Sequence, residues 1–164
     1  MIKLYHGSNV EIDTVDLSFS RIGKDFGKGF YLNPDKQQAL QMAERTAERS
    51  RFGKPVLNTF LFDDSILHSL STPLSIKIFE GYDEEWLNFI LANRNNKTQN
   101  QAHSYDIVIG PIADDTVGLQ LRRFLQGYID EDKLIEELRF KEPSIQYFFG
   151  TIESLQYLKK ISNE

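Results

Sequence analysis

Segments of strand length and helix length follow one another along this chain without a regular strand–helix–strand alternation. Apolar and aromatic runs at 2–6, 29–32, 56–62, 105–109 and 145–149 have strand character, and 74–79 could add a short one. Helical patterns begin after Asn33-Pro34, at Asp83, near 116 and at Asp130, and a last one is capped by Thr151. The predicted order is strand, strand, helix, strand, helix, strand, helices, strand, helix. A doubly wound parallel sheet needs a helical crossover after each strand, so this order points to an α+β fold. Residues 1–164 read as a single domain, since no Pro/Gly-rich linker, repeat or low-complexity tract divides them.

Several segments carry local signals. Asn33 is the expected N-cap of the helix over 34–49, with Pro34 at the first helical position, where a missing N–H costs nothing. Ala39, Leu40, Ala43 and Ala47 give that helix its apolar stripe. Val56 to Phe62 is the clearest strand. The helix from Asp83 to Ala92 should turn Trp86, Phe89 and Ile90 inward. The polar stretch 93–104 reads as a surface loop, and Pro143 breaks the chain before the strand 145–149. The final helix is expected to carry Leu155 and Leu158.

Composition excludes several classes of function. The chain has no cysteine, so it has neither a disulfide framework nor a thiolate zinc site. Its three histidines, His6, His68 and His103, argue against a multi-histidine metal centre, and no metal is expected. A net charge of -5 argues against broad phosphate-driven nucleic-acid binding, although Arg45, Arg49, Arg51 and Lys54 gather locally. No apolar run approaches the ~20 residues of a membrane span, and Met1 to His6 lacks a signal-peptide core. The simplest reading is a cytoplasmic protein with no membrane partner.

Three stretches carry candidate chemistry. In Leu4-Tyr5-His6-Gly7-Ser8 a strand ends in a histidine beside a glycine, which allows close approach of a ligand to the backbone. An imidazole there can donate to a ribose hydroxyl, or can simply be structural. In Phe26-Gly27-Lys28-Gly29-Phe30-Tyr31 two glycines flank a lysine ahead of an aromatic strand. The spacing is neither that of a phosphate-binding P-loop nor that of a Rossmann fingerprint. It suits a tight turn into a core strand, or a stacking platform for a planar heterocycle. In Ile145-Gln146-Tyr147-Phe148-Phe149 a polar amide opens an aromatic strand.

Together and in this order, the three stretches resemble the His-Tyr-Glu type of the ADP-ribosyltransferase superfamily, which includes diphtheria toxin and the poly(ADP-ribose) polymerases. His6-Gly7-Ser8 is similar to the first motif. Gly27-Lys28-Gly29-Phe30-Tyr31 with its following helix is similar to the second. Gln146 falls where that superfamily usually has glutamate. Over most of the chain, Asp16-Leu17-Ser18, the Lys24 to Leu32 run, Tyr105 to Asp115 and Gln146 also resemble a bacterial domain family of formerly unknown function, assigned to the same superfamily and often encoded beside a small partner gene.

The resemblance implies a split β-sandwich of two small sheets with flanking helices, and a cleft that holds NAD+ as a substrate. His6 would bond the adenosine ribose, the Gly7 backbone would grip the nicotinamide amide, and Tyr31 would stack on the nicotinamide ring. Ser8, Lys28 and Gly29 would line the donor site, and Arg21 in the 13–25 loop would meet the pyrophosphate. Gln146 would hold a ribose hydroxyl but supply no charge. Glu142, Glu153, Asp114 or Asp115 could supply it instead, although Asp114-Asp115 also suits a helix N-terminus. The implied activity is mono-ADP-ribosylation of an unknown protein or nucleic-acid acceptor, as a toxin with a small antitoxin partner. The alternative is a non-catalytic NAD+/ADP-ribose-binding or protein-interaction module on the same fold. NAD+ hydrolysis or RNA 2'-phosphate transfer is a third class, and the acidic balance disfavours the latter.

Overall fold

Val56–Phe62 forms β3, the central strand of a three-stranded antiparallel sheet. The computed structural model describes residues 1–163, with 162 and 163 described through their backbone only. On one side of β3 lies β1 (Ile2–Ser8), in register from Ile2 opposite Phe62 to Ser8 opposite Val56. On the other lies β7 (Leu158–Asn163), whose register shifts between Thr59 and Phe60. The second sheet runs in the order β2 (Phe30–Leu32), β6 (Ile145–Phe149), β5 (Ile107–Pro111), β4 (Ile76–Ile78). Among the described residues, only β4 and β5 pair in parallel. The fold is α+β, with two small, mostly antiparallel sheets and five α-helices among the described residues.

Strand alternation sorts side chains into layers. Leu4, Phe60 and Phe62 of the first sheet meet Phe30, Leu32, Ile107, Ile109 and Phe149 of the second in one buried layer. The opposite face of the second sheet presents Val108 and Phe148. Phe26, α2 (Glu84–Arg94), α3 (Asp115–Leu125) and α4 (Glu131–Leu138) cover it with Trp86, Leu87, Ile90, Val117, Leu121, Leu134 and Leu138. Each such side chain, fully buried, contributes about 1.5–3 kcal/mol relative to exposure. Trp86 also satisfies its buried indole, which donates to the Pro111 carbonyl at 2.7 Å. On the outer face of the first sheet, α1 (Lys36–Ser50) lies across β1 through the small residues Ala39 and Ala43.

Helix starts largely follow the sequence. Asp83, Asp114 and Asp130 each accept a hydrogen bond from a backbone N–H in the first turn, satisfying a donor with no partner inside the helix. The start of α1 differs from expectation. Its N-cap is Asp35, whose carboxylate accepts from Gln37 and Gln38. Asn33 is instead extended, with its N–H and C=O bonded to Tyr5 at 2.8 and 2.9 Å, so it cannot enter the helix. Its side-chain oxygen accepts from the Asp35 N–H and turns the chain.

The C-terminal region also departs from expectation. The helix capped by Thr151, α5, ends at Leu155 after four residues. Leu158 opens β7 instead of closing a helix. A helix there would leave the outer edge of β3 with unpaired backbone groups, and β7 satisfies them.

Candidate functional site

The two sheets touch through the backbone at one point among the described residues, a bridge between Tyr5 of β1 and Asn33 just after β2. Beyond that bridge no ladder joins β1 to β2 among the described residues, which leaves an opening between their facing edges. Gly7 lies two residues beyond Tyr5 and Tyr31 two residues before Asn33. In a strand, backbone groups two residues apart point off the same edge. The N–H and C=O of Gly7 therefore face the opening, as do those of Tyr31. Gly7 has a packing role as well, because a Cβ there would lie 1.9 Å from the Ala39 carbonyl oxygen of α1.

His6 closes the opening. Its ring packs on Phe30 at 4.5 Å between centroids, and its Nδ1 lies 2.7 Å from the Tyr31 carbonyl oxygen. A carbonyl only accepts, so Nδ1 carries the proton and donates. Burial lowers the imidazole pKa; the Tyr31 carbonyl opposes this, while Lys24 and Lys160 add to the lowering. His6 is then neutral near pH 7 with Nε2 as an acceptor. A ribose hydroxyl would donate to it, the reverse of the polarity expected from sequence.

Tyr31 faces the opposite side of its sheet from Phe30 and Leu32, packed edge-on to Phe148 at 5.2 Å and stacked with Phe26 at 6.1 Å. Its hydroxyl donates to the Gly27 carbonyl at 2.7 Å and accepts from the Phe26 N–H at 3.0 Å. Burial pushes its pKa far up, so it is a phenol and not a phenolate. Lys24 places its ammonium over the ring, 5.3 Å from the centroid. Burial, then repulsion from Arg21 and Arg49, lowers the Lys24 pKa. Lys24, Arg21 and Arg49 have no carboxylate partner among the described residues, which leaves a local excess of positive charge beside the opening.

Ser8 and Gly29 are engaged elsewhere. The Ser8 hydroxyl is buried and accepts from the Val10 N–H at 3.4 Å. The Ser20 hydroxyl binds both backbone groups of Gly29, at 2.7 and 2.8 Å. The Lys28 backbone is held by the Gln101 amide.

Gln146 pairs with Gly110 of β5 and, by alternation, shares the sheet face of Phe148 and Tyr31. Tyr31 opposes Phe148, so Gln146 is its diagonal neighbour, at about 7–8 Å between backbones. The Gln146 amide makes no hydrogen bond among the described residues. Of the acids weighed as charge donors, Asp114 is committed to α3. Partial burial pushes its carboxyl up, but bonds from Val117, Thr116 and Ser144 outweigh this and hold it below the usual range. Asp115 is exposed in the first turn of α3, and Glu153 is exposed in α5. Glu142 lines a depression of about 330 Å³ with Asn33, Asp35, Gln38 and Ser144, next to the start of β6. His6 and Tyr31 do not line it.

The model of a family described as a protein of unknown function, DUF3990, matches residues 2–160. The chain belongs to this family. Comparison with curated proteins and with solved structures returned no match. All of the residues described above lie inside the span that defines membership in DUF3990.

Sequence reasoning missed Lys24, Gln101 and His103. Lys24 sits inside the quoted motif, and only the loop path brings it back over Tyr31. Gln101 and His103 act across 73 and 77 positions of chain, which no local pattern reports. Among the described residues no group of acidic and histidine side chains could hold a metal ion, and no helix is long and apolar enough to cross a membrane.

The buried imidazoles predict a pH dependence. Burial also lowers the His103 pKa, opposed by its bond to Phe26. Below the unfolded value of 6.5, unfolded chains take up protons at both histidines while the folded protein resists. Stability is therefore full above that value and is lost as pH falls below it, by at most about 1.4 kcal/mol per pH unit for each histidine. Urea unfolding at pH 7.5 and 5.5 measures this, and equal stabilities at the two pH values would contradict the buried neutral assignment.

Proposed function

We infer that this protein binds NAD+ at the divergence of β1 and β2 and transfers ADP-ribose from it to an acceptor. One observation carries the reading: the His6–Tyr31 bond sets the histidine of one motif against the tyrosine strand of the other, with the Gly7 backbone facing the same opening. The three motifs that resemble ADP-ribosyltransferases are far apart in sequence, and a shared site is what the resemblance requires. The residues suit the donor. His6 Nε2 accepts from a ribose hydroxyl, Gly7 offers one donor and one acceptor to a carboxamide, and Arg21 and Lys24 offer unpaired positive charge to a pyrophosphate.

The reaction breaks the bond between nicotinamide nitrogen and ribose C1'. The electron pair leaves with nicotinamide, an acceptor lone pair bonds to C1', and the acceptor loses a proton to solvent. Positive charge builds on the ribose in the transition state, where a carboxylate would be stabilising. Gln146 keeps the hydroxyl contact without that charge. Its neutrality, together with the engagement of Asp114 in capping, favours a second reading: a module that binds NAD+ or ADP-ribose without turning it over. A role as a toxin paired with a small antitoxin protein belongs to the first reading and rests on the resemblance.

Incubation with labelled NAD+ and a cell lysate tests the reading. Wild type is expected to label an acceptor, with protease or nuclease sensitivity giving its class. Tyr31→Ala should lower transfer by about 10²-fold, because the reacting ring loses its platform. Binding of NAD+ with no nicotinamide release would select the binding module. Absence of NAD+ binding would sink both readings. Growth arrest on induced expression, relieved by His6→Ala, would support the toxin role.

A further inference from the structure

The turn ahead of Tyr31 is held from a distance. Phe26 and Gly27 take the Tyr31 hydroxyl, yet Asp25, Phe26 and Lys28 are each tied to chain between Arg94 and Ala113. Gln101 behaves as a neighbouring strand would: Oε1 accepts from the Lys28 N–H at 2.9 Å and Nε2 donates to the Lys28 carbonyl at 2.7 Å. His103 Nε2 lies 2.7 Å from the Phe26 carbonyl, and Nδ1 accepts from the Tyr105 N–H at 3.0 Å. Since the carbonyl can only accept, His103 is the neutral tautomer with its proton on Nε2, and both nitrogens are used. Its ring is wedged among Phe89, Tyr105 and Phe148, at 4.9 to 5.6 Å between centroids. Arg94 adds an ion pair to Asp25 at 2.6 Å, and the other oxygen of Asp25 accepts from the Ala113 N–H.

The fit leaves little slack. Gly27 has φ of +92°, and a Cβ there would lie 2.3 Å from the Gln101 oxygen and 2.9 Å from the Asn93 oxygen. That Asn93 oxygen is buried and has no hydrogen-bond partner among the described residues. The turn in turn fixes the Tyr31 hydroxyl at two points. A displacement at Phe26 or Gly27 is therefore transmitted to the aromatic ring through these two bonds.

We propose that Gln101 and His103 are positioning residues that lock the 25–28 turn and, through it, set the Tyr31 ring for the nicotinamide of the donor. This rests on the NAD+ reading above for the ligand, and on the hydrogen bonds alone for the lock. Neither residue touches the donor; both reach it through Phe26, Gly27 and Lys28.

Amide hydrogen exchange on ligand-free protein and NAD+ titration, run together on Gln101→Ala and His103→Ala, test the proposal. In Gln101→Ala the Lys28 amide should exchange at least tenfold faster and NAD+ affinity should fall at least tenfold, while the global unfolding midpoint stays near wild type. Gln101→Glu keeps the acceptor for the Lys28 N–H and loses the donor, so it should fall between. His103→Gln retains a donor for the Phe26 carbonyl and should recover part of the loss seen in His103→Ala. Unchanged Lys28 exchange would overturn the lock. Faster exchange with unchanged NAD+ affinity would overturn the positioning role. If wild type binds no NAD+, the donor reading falls, and the exchange comparison alone decides whether the lock exists.

Discussion

Gln146→Glu is expected to accelerate nicotinamide release from NAD+ by about 10²–10³-fold, the effect of one well-aimed electrostatic group in a transition state. Gln146 lies on the face of the second sheet that carries Tyr31, one diagonal step away, and its amide has no partner to lose among the described residues. Glutamate is nearly isosteric there. Its carboxylate would meet positive charge as it moves from the nicotinamide ring to the ribose. The gain should appear mainly in rate, since the ground-state dinucleotide already carries its charge on the ring. Single-turnover release by wild type and Gln146→Glu, with NAD+ affinity measured in parallel, decides the matter. Equal rates at retained affinity would mean that charge is not what this position lacks, and the transferase reading would lose its explanation for Gln146.

Gly7→Ala is expected to destabilise the fold by about 3 kcal/mol or more, at the upper end of what overpacking a well-filled site costs. The new methyl would meet the Ala39 carbonyl oxygen at 1.9 Å and the Ala43 nitrogen at 2.6 Å. Both are backbone atoms of α1, and no rotamer change relieves them. The helix must withdraw from β1, opening space beneath Ala39 and Ala43. Gly81→Ala is the control, since a Cβ there meets nothing within 4 Å. It should stay within about 0.5 kcal/mol of wild type. Urea midpoints for the pair make the comparison, and a Gly7→Ala loss no larger than the control's would mean that α1 is not seated on β1 in this way. The large expected cost also means that lost NAD+ binding in a Gly7 variant would not by itself identify a donor contact.

Much of this fold is written locally. β3 is a seven-residue run in which every side chain but Asn58 is apolar or β-favouring, and it lies where that pattern places it. Asp83, Asp114 and Asp130 cap helices because each supplies an acceptor one turn ahead of free N–H groups. What was hidden is long-range. Asn33-Pro34 has a good helix-start signature, but two backbone bonds to Tyr5 hold Asn33 in extended form. Leu155 and Leu158 have helical spacing, yet the open edge of β3 recruits Leu158 into a strand. The polar stretch around Gln101 has a loop's composition, and its grip on Lys28 depends on a partner 73 residues away. The site was legible as three motifs, while the cation over Tyr31 and the tautomer of His6 depend on how those motifs meet.

The Tyr5–Asn33 bridge is the one backbone link between the two sheets among the described residues. Two sheets joined along a full ladder would share one orientation. Here the angle between them depends on the His6–Tyr31 bond and on the interleaved rings of Phe30, Phe60, Phe62 and Phe149. Those rings lie between the sheets, so their bulk contributes to how far apart Gly7 and Tyr31 are held. Aperture can therefore drift among relatives through changes in interior volume alone, with every residue that lines the opening left as it is.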